Sequence, residues 1–243
     1  MDLYYEAYEK RYQAVREVGD YVWGHTPDDN ELIALLGEWT QKHSLAGKKV
    51  VEFACGEGAG GVVLSRLGCM YQGYDIAPSA IEKTRALLKE FLCARADRLD
   101  LVRESLPENT FDAALDVMGF HMIITDSDRN AYLNNMYRAL RPGSPAFFIH
   151  ESYRENAYCG PVETFADWER TSDSDYSALH ERRIGNTGKA VFIPLVPARA
   201  RNKADYIKEL TSAGFIVDEF IEMGENTKCM YSASIHAHKP SQY

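Results

Sequence analysis

The feature that most constrains this chain is a glycine-rich turn that directly follows a short apolar strand. The segment reads Val50-Val51-Glu52-Phe53-Ala54-Cys55-Gly56-Glu57-Gly58-Ala59-Gly60-Gly61. Glycine is needed where the backbone turns sharply and a ligand lies against it, because a Cβ atom would collide there. Gly56, Gly58 and Gly61 also satisfy the spacing G-x-G-x-x-G, which is typical of strand–turn–helix units that bind nucleotides. The segment therefore predicts a strand, a tight turn in contact with a ligand, and a helix.

Strands and helices alternate along most of the chain. Seven apolar segments have the length of strands, at about residues 50–53, 70–74, 91–96, 111–117, 146–149, 215–223 and 230–236. Helical periodicity separates the first five, and such alternation implies parallel strands with helices on both faces. The last two segments are joined by a short turn and must pair antiparallel. The pattern predicts an α/β fold, a three-layer α-β-α sandwich whose mostly parallel seven-stranded sheet has an antiparallel last strand.

Two regions lie outside this alternation. Residues 1–44 are predicted to form a helical cap, with a tyrosine-rich helix over residues 2–22 and a second helix for which Thr26 is the expected capping residue. Residues 45–243 form the main domain. Within it, residues 152–201 interrupt the pattern and mostly lack a clear period. We expect this insertion to cover the carboxyl edge of the sheet, where open α/β sheets bind ligands.

The composition limits the function further. The formal net charge is −9, and a protein whose main partner is a phosphate backbone usually has a basic surface, so nucleic acid is disfavoured as a partner. No apolar run approaches about 18 residues. The amino terminus does not resemble a signal peptide, which favours a cytoplasmic protein with no membrane contact. The cysteines are scattered without C-x-x-C spacing, so neither a disulfide framework nor a zinc site is expected.

Three acids are predicted at the ends of the first three strands, Glu52, Asp75 and Asp97. The tips of adjacent parallel strands lie about 5 Å apart, so these carboxylates form a rim long enough to bind an adenosine. Asp75 follows Gly56 at the spacing from which an acid accepts hydrogen bonds from both ribose hydroxyls. So many acids without a compensating arginine would repel a pyrophosphate.

Several segments resemble one known family, the class I S-adenosylmethionine-dependent methyltransferases. Glu52–Gly58 is similar to that family's first motif, and Phe111–Leu115 is similar to its fourth strand. Arg141–Gly143 is similar to the turn before its fifth strand, and Ala213–Phe215 is similar to the entry to its sixth strand. The likeness covers residues 45–151 well and residues 202–238 moderately. It implies S-adenosylmethionine as the cofactor and a seven-stranded sheet whose last strand is antiparallel.

The resemblance also implies which residues bind the cofactor. They are Glu52, Ala54, Cys55, Gly56, Gly58, Asp75, Ile76, Asp97, Arg98, Asp116, Val117 and Met118. Glu52 and the glycine turn are expected to face the methionine portion, Asp75 the ribose, and Asp97 the adenine. Ala54 departs from the glycine usual in the family. We expect cofactor binding to be retained, because alanine is the smallest alternative to glycine. The other interpretation is a relative of the family that has no catalytic activity.

Two histidines are candidates for the proton acceptor. His121 follows the fourth strand and His150 ends the fifth, so both are expected near the transferred methyl group. A neutral imidazole can take the proton of an acceptor hydroxyl or amine. The alternative for His121 is a structural histidine. Of His150 and Glu151, at most one is expected to face the substrate.

Four further residues have both a functional and a structural interpretation. Arg199 and Arg201 precede a predicted helix and would bind a carboxylate or phosphate of the acceptor, or form salt bridges within a loop. Tyr12 and Trp23 would surround the cationic sulfonium, or simply pack within the amino-terminal helices.

The sequence therefore predicts a methyltransferase that transfers a methyl group to a small molecule by in-line displacement. No metal is expected, because the carboxylates are committed to the cofactor and the histidines lack ligand spacing. The alternatives are a methyltransferase for RNA or protein, an NAD-dependent oxidoreductase on the same glycine loop, and a sensor that binds the cofactor without catalysis. A homodimer is compatible with the sequence, which does not specify the oligomeric state.

Overall fold

A computed structural model describes residues 3–17, 24–184, 189–224 and 231–241. Its helices are α1 (Ala7–Glu17), α2 (Asn30–Lys42), α3 (Ala59–Arg66), α4 (Pro78–Leu88), α5 (Asp126–Ala139), α6 (Phe165–Ser172) and α7 (Lys203–Ser212). Its strands are β1 (Lys49–Phe53), β2 (Met70–Asp75), β3 (Ala94–Arg98), β4 (Ala113–Val117), β5 (Pro145–Ser152), β6 (Leu179–Ile184), β7 (Lys189–Pro194), β8 (Ile216–Glu222) and β9 (Ser232–His238). Single 3₁₀ turns occupy Tyr4–Glu6 and Phe120–Met122.

The main sheet has the strand order β3-β2-β1-β4-β5-β9-β8. The first five strands run parallel, whereas β9 pairs antiparallel with both of its neighbours. The predicted seven-stranded, mostly parallel sheet is thus confirmed, together with its antiparallel last strand. The chain order reverses between β1 and β4, and this switch point is where open α/β sheets form a ligand crevice.

Two apolar clusters cover the faces of this sheet. On one face α5 and α7 bury Tyr132, Met136 and Leu210 against the strands. On the other face Leu36 and Trp39, both from α2, pack together with side chains of α3 and α4. These helices have one apolar stripe each, so burial of that stripe fixes their position on the sheet.

Two sequence expectations are corrected here. The side chain of Asp29 accepts a hydrogen bond from the Glu31 amide and caps α2, so the prediction of Thr26 as the cap is wrong. The third strand covers 94–98 rather than 91–96, because Phe91 packs from the preceding loop rather than from the strand. As a result, Asp97 lies within β3, opposite Tyr74 of β2.

The insertion is more regular than its sequence suggests. It contains α6 and the antiparallel hairpin β6-β7, and α1 packs against both β7 and α4. No helix among the described residues is long and apolar enough to cross a membrane.

Candidate functional site

A deep cavity lies at the carboxyl edge of the sheet, above the switch point between β1 and β4. It encloses about 1010 Å³, including space open to solvent. Its floor is the glycine turn after β1, and its sides are the ends of β2 and β4, the loop after β3, and the amino-terminal segment. The cavity is thus formed where the sequence predicts ligand binding.

Glu52 is the first acid of the cavity and is almost fully buried. The Tyr71 hydroxyl donates a short hydrogen bond to it, and Gly60 leaves room for it, since a Cβ atom at that position would collide with the carboxylate. Burial raises the pKa of Glu52 to about 8. A buried acid of this kind is unstable in its charged form until a cation approaches it.

Asp75 lies at the end of β2 and is held by two backbone amides. The Gly56 and Ala77 amides each donate to one of its carboxylate oxygens at 2.8 Å. Burial raises its pKa to about 6 despite these two donors. Each oxygen keeps a second lone pair, so the carboxylate is fixed in place and can still accept hydrogen bonds from a ligand.

Three neighbouring strands carry residues with left-handed backbone conformations at or near their carboxyl ends. Ala54 after β1, Met118 after β4 and His150 in β5 have φ values of 51°, 61° and 56°. Such values are uncommon for residues with a Cβ atom, and glycine adopts them at much lower cost. This conformation gives a physical reason for the glycine expected at position 54. It also places backbone strain at Ala54 and Met118, which line the cavity, as is common in functional sites.

The segment that contains α1 closes the cavity from above. Tyr5, Tyr8 and Tyr12 all line it, and the Tyr12 hydroxyl lies over Gly56. Helix α1 is held there by Glu9, whose carboxylate accepts from both the amide and the hydroxyl of Ser79, at 3.0 and 2.6 Å. The cavity therefore has a roof of aromatic side chains.

A buried acidic cluster lies beneath the loop after β4. Asp116 accepts from the amides of Gly119 and Phe120 and from the Tyr132 hydroxyl. Glu151 accepts from the amide and Nδ1 of His121, at 2.7 and 2.9 Å. Burial raises the pKa of both carboxyls, that of Glu151 to about 7, and lowers the pKa of His121 to about 4. His121 thus lies in this cluster, outside the lining of the cavity.

A bulge in β5 separates His150 from Glu151. The register with β9 shifts between Phe148 and Glu151, so Ile149 and His150 face the same side of the sheet, toward α2. Glu151 consequently faces the opposite side, toward α5. His150 then meets His25, with its Nδ1 atom 2.8 Å from Nε2 of His25. His25, unlike His150, lines the cavity.

Arg199 and Arg201 are buried in internal contacts and do not line the cavity. Arg199 donates to the carbonyls of Ile124 and Gly160 and to the Asp126 carboxylate. Arg201 pairs with Glu209 and donates to the carbonyl of residue 158. The two arginines therefore attach the first part of the insertion to the main domain.

Asp97 and Arg98 also lie away from the cavity. The Asp97 side chain is about half exposed and accepts hydrogen bonds from Gln72 and Arg85. The acid that faces the cavity on this side is Asp100, to which the Tyr5 hydroxyl donates at 3.0 Å. The shift of the third strand explains the difference, because it moves the loop that meets the cavity to residues 99–102.

The structure brings most of the expected cofactor-binding residues together. Those that line the cavity are Tyr12, Glu52, Ala54, Cys55, Gly56, Asp75, Ile76, Val117 and Met118. Gly58 and Asp116 lie directly behind this lining, in the turn and in the acidic cluster. Trp23 lies outside the described residues.

Asp100, His25 and Tyr132 are three polar residues of the lining that sequence reasoning missed. Asp100 could have been predicted from the sequence, since it is an acid shortly after the third strand. His25 could not, because it precedes a helix start and meets its partner 125 residues away. Tyr132 belongs to the apolar stripe of α5, and its role appears only when its hydroxyl is seen to reach Asp116.

Comparison with known proteins agrees with this geometry. A family model described as a methyltransferase domain matches residues 50–143. A fatty-acid O-methyltransferase of Mycolicibacterium smegmatis is 29% identical over 157 residues, which are 63% of this chain and 52% of that protein. The chain thus spans about half the length of this curated relative.

Solved structures share the fold over nearly the whole chain. The [4+2]-cyclase SpnF superposes with a TM-score of 0.69 at 15% identity, covering 98% of this chain and 96% of its own. An S-adenosylmethionine-dependent methyltransferase from Clostridium acetobutylicum gives 0.62 at 14% identity, covering 98% and 99%. At these identities the likeness concerns the fold alone.

Proposed function

We propose that this chain, which belongs to the class I family of S-adenosylmethionine-dependent methyltransferases, binds that cofactor in the cavity above β1 and β4 and methylates a small molecule. The observation that carries the proposal is the charge of the cavity. Glu52, Glu57, Asp75 and Asp100 line it, whereas no lysine or arginine whose side chain the structure describes does so.

This charge fits S-adenosylmethionine better than a dinucleotide. The sulfonium and the amino group of the cofactor are cationic and would stabilise buried carboxylates. The pyrophosphate of NAD would add negative charge where burial already raises the pKa of Glu52 and Asp75. The proposal therefore disfavours the oxidoreductase alternative.

When bound, the cofactor supplies a methyl group already activated by a positive sulfur. Glu52 and the glycine turn would hold its methionine portion, and Asp75 would accept from its ribose hydroxyls. The tip of β4 would lie beside the sulfur, and the tyrosines of α1 would exclude water. The chain's contribution is mainly alignment, which is worth about 7–11 kcal/mol in well-oriented reactions.

A small acceptor is supported by how the cavity is enclosed. The tyrosines of the segment that contains α1 close the cavity from above, and the net charge of −9 disfavours an RNA acceptor. The curated relative carries the name of an enzyme that acts on a fatty acid, itself a small molecule.

Isothermal titration with S-adenosylmethionine, S-adenosylhomocysteine and NADH tests the cofactor. We expect both adenosyl ligands to bind and NADH to give no heat. Asp75→Asn removes the charge at unchanged size and is expected to weaken binding about 10- to 100-fold. Asp218→Asn, on the far strand β8, is the matched control and is expected to bind normally.

Binding of NADH alone would contradict the proposal. Binding of the adenosyl ligands, with no turnover of any acceptor, would favour the sensor alternative or a different reaction on the same fold.

A further inference from the structure

A pair of buried acids begins directly behind the lining of the cavity at the tip of β4. Gly119 and Tyr132 both line the cavity. A Cβ atom on Gly119 would come within 2.7 Å of Oδ1 of Asp116, and the Tyr132 hydroxyl donates to Oδ2 of Asp116 at 2.6 Å. This carboxyl is fully buried and is therefore close to the cavity without being part of its surface.

The second acid of the pair is Glu151. Its carboxyl and that of Asp116 are hydrogen-bonded to each other. Glu151 is fully buried, and its Oε2 atom accepts from the amide and Nδ1 of His121, whereas Oε1 meets no donor among the residues that the structure describes. Two carboxyls in such contact cannot both be ionised, so they share a proton.

Opposing effects allow this pair to exchange a further proton near neutral pH. Burial raises the pKa of both carboxyls, that of Glu151 to about 7. The amides of residues 119 and 120 and the Tyr132 hydroxyl stabilise the ionised form of Asp116. The other ionisable side chains that face the pair are Glu52, His121, Arg129, Tyr132 and Tyr206. The pair thus carries one negative charge or none.

Tyr132 connects the pair with the cavity. Its hydroxyl hydrogen is used on Asp116, and its ring packs against Phe53 and Phe120. The hydroxyl oxygen keeps lone pairs that can accept a hydrogen bond from a ligand. Burial and the Asp116 carboxylate raise the pKa of this hydroxyl well above its usual value. Tyr132 therefore stays neutral, and it can receive a proton only while it releases one to Asp116.

We infer that the Asp116–Glu151 pair is the proton store of the site, and that Tyr132 passes to it the proton that the acceptor loses on methylation. The inference rests on the proposed function and commits to an acceptor atom that bears a proton. That atom forms a bond to the methyl carbon, and the carbon–sulfur bond of the cofactor breaks with its electron pair returning to sulfur. The acceptor's proton moves to the Tyr132 oxygen while the Tyr132 proton moves to Asp116.

This route removes two opposite charges at the same time. Before transfer, the positive sulfur beside the tip of β4 stabilises the single negative charge of the pair. After transfer the sulfur is neutral, and the added proton neutralises the pair as well. A buried charge without a partner, which is strongly unfavourable, is thus avoided in both states. The number of protons on the pair should therefore depend on the charge of the bound ligand.

The proton balance of ligand binding tests the store without any acceptor. S-adenosylhomocysteine lacks the positive charge, so the pair should hold more protons with it than with S-adenosylmethionine. Isothermal titration at neutral pH, in phosphate and in Tris buffer, measures the protons exchanged because the ionisation enthalpies of these buffers differ. S-adenosylhomocysteine should take up about 0.5–1 proton more than S-adenosylmethionine. The groups that Glu52 and Asp75 would bind are the same in both ligands, so their contributions cancel.

Equal proton exchange with the two ligands, or a difference of opposite sign, would overturn the inference, and this measurement needs only the unaltered protein. The double variant Asp116→Asn/Glu151→Gln removes both titrating groups at nearly constant shape, so the difference should disappear in it. A difference that persists there would place the store elsewhere. Loss of binding of both adenosyl ligands to the unaltered protein would instead contradict the proposed function.

Tyr132→Phe tests the route with acceptors that differ in protonation. Naphthol and decanethiol bear a proton at neutral pH, whereas decanoic acid is ionised. The variant should slow methylation of the first two about 100-fold with unchanged affinity for S-adenosylmethionine, and should not slow methylation of decanoate. Tyr137→Phe, on the same helix and outside the cavity lining, is the matched control.

Methylation of decanoate alone would overturn the inference, because that acceptor has no proton to release. Equal slowing of all acceptors by Tyr132→Phe, or weaker binding of S-adenosylmethionine without slower transfer, would assign the hydroxyl to the cofactor instead. The proton balance decides the inference if none of these compounds is methylated.

Discussion

At the scale of single residues, the position of Glu52 in the cavity makes ionisation of its carboxyl unfavourable. Its carboxyl is buried beneath the glycine turn and retains its proton up to a pKa of about 8, compared with 4.5 for a free side chain. The folded protein therefore binds more protons at this position than the unfolded chain. Its stability must then fall as pH rises through this interval, unless a cation binds beside the carboxylate.

Glu52→Gln removes this penalty at nearly constant shape. The variant's gain in free energy of unfolding, measured by denaturant titration without cofactor, should be about 2–4 kcal/mol larger at pH 8 than at pH 4.5. The exposed acid Glu163, changed to glutamine, should show no such dependence. Equal effects of Glu52→Gln at the two pH values would mean that the buried carboxylate ionises without cost. The same variant should also bind S-adenosylmethionine more weakly.

The site was partly predictable at this scale. The glycine turn and Asp75 are specified locally, by a short pattern whose spacing has one geometric meaning. Asp97 was misplaced relative to its strand because apolar Phe91 resembles the start of a strand while packing from a loop. His25 was missed because its role depends on His150, and that meeting depends on a bulge that leaves no mark in the apolar pattern.

At the scale of elements, α1 is held to the main domain by the start of another helix. Ala77, the capping residue of α4, provides no side-chain hydrogen bond, and Glu9 of α1 accepts from Ser79 instead. Arg16 adds a hydrogen bond to the Ser79 carbonyl. The capping of α4 and the roof of the cavity therefore depend on the same contact. The sequence predicted a helix here but could not indicate where it docks.

Glu9→Ala should loosen this roof without unfolding the protein. Amide exchange within residues 7–17 should accelerate, and affinity for S-adenosylmethionine should fall about tenfold, because a charge-assisted hydrogen bond is lost. Lys10→Ala, at an exposed position of the same helix, is the control. Unchanged exchange in α1 would show that its apolar contacts alone hold it.

At the scale of the whole molecule, the mostly parallel seven-stranded sheet with its antiparallel last strand was predictable because alternation leaves few topologies, whereas the attachment of the insertion was not. That attachment depends on buried arginines. Arg199 is fully buried and bridges Asp126, at the start of α5, to the Gly160 carbonyl of the insertion. The guanidinium supplies hydrogen bonds to backbone carbonyls of both the main domain and the insertion. The insertion and the sheet should therefore unfold together.

Arg199→Ala tests this cooperativity. The Asp126 carboxylate is 41% exposed and can be solvated, but removing the buried guanidinium leaves the carbonyls of Ile124 and Gly160 without this donor. The loss of stability should therefore be about 2–4 kcal/mol. Arg138→Ala breaks the exposed pair with Glu108 and should cost less than about 1 kcal/mol. Thermal unfolding followed by both tryptophan fluorescence and far-ultraviolet circular dichroism should remain a single transition in each variant, shifted strongly only for Arg199→Ala. Two separate transitions in that variant would mean that the insertion folds independently of the sheet, and that Arg199 joins two units rather than stabilising one.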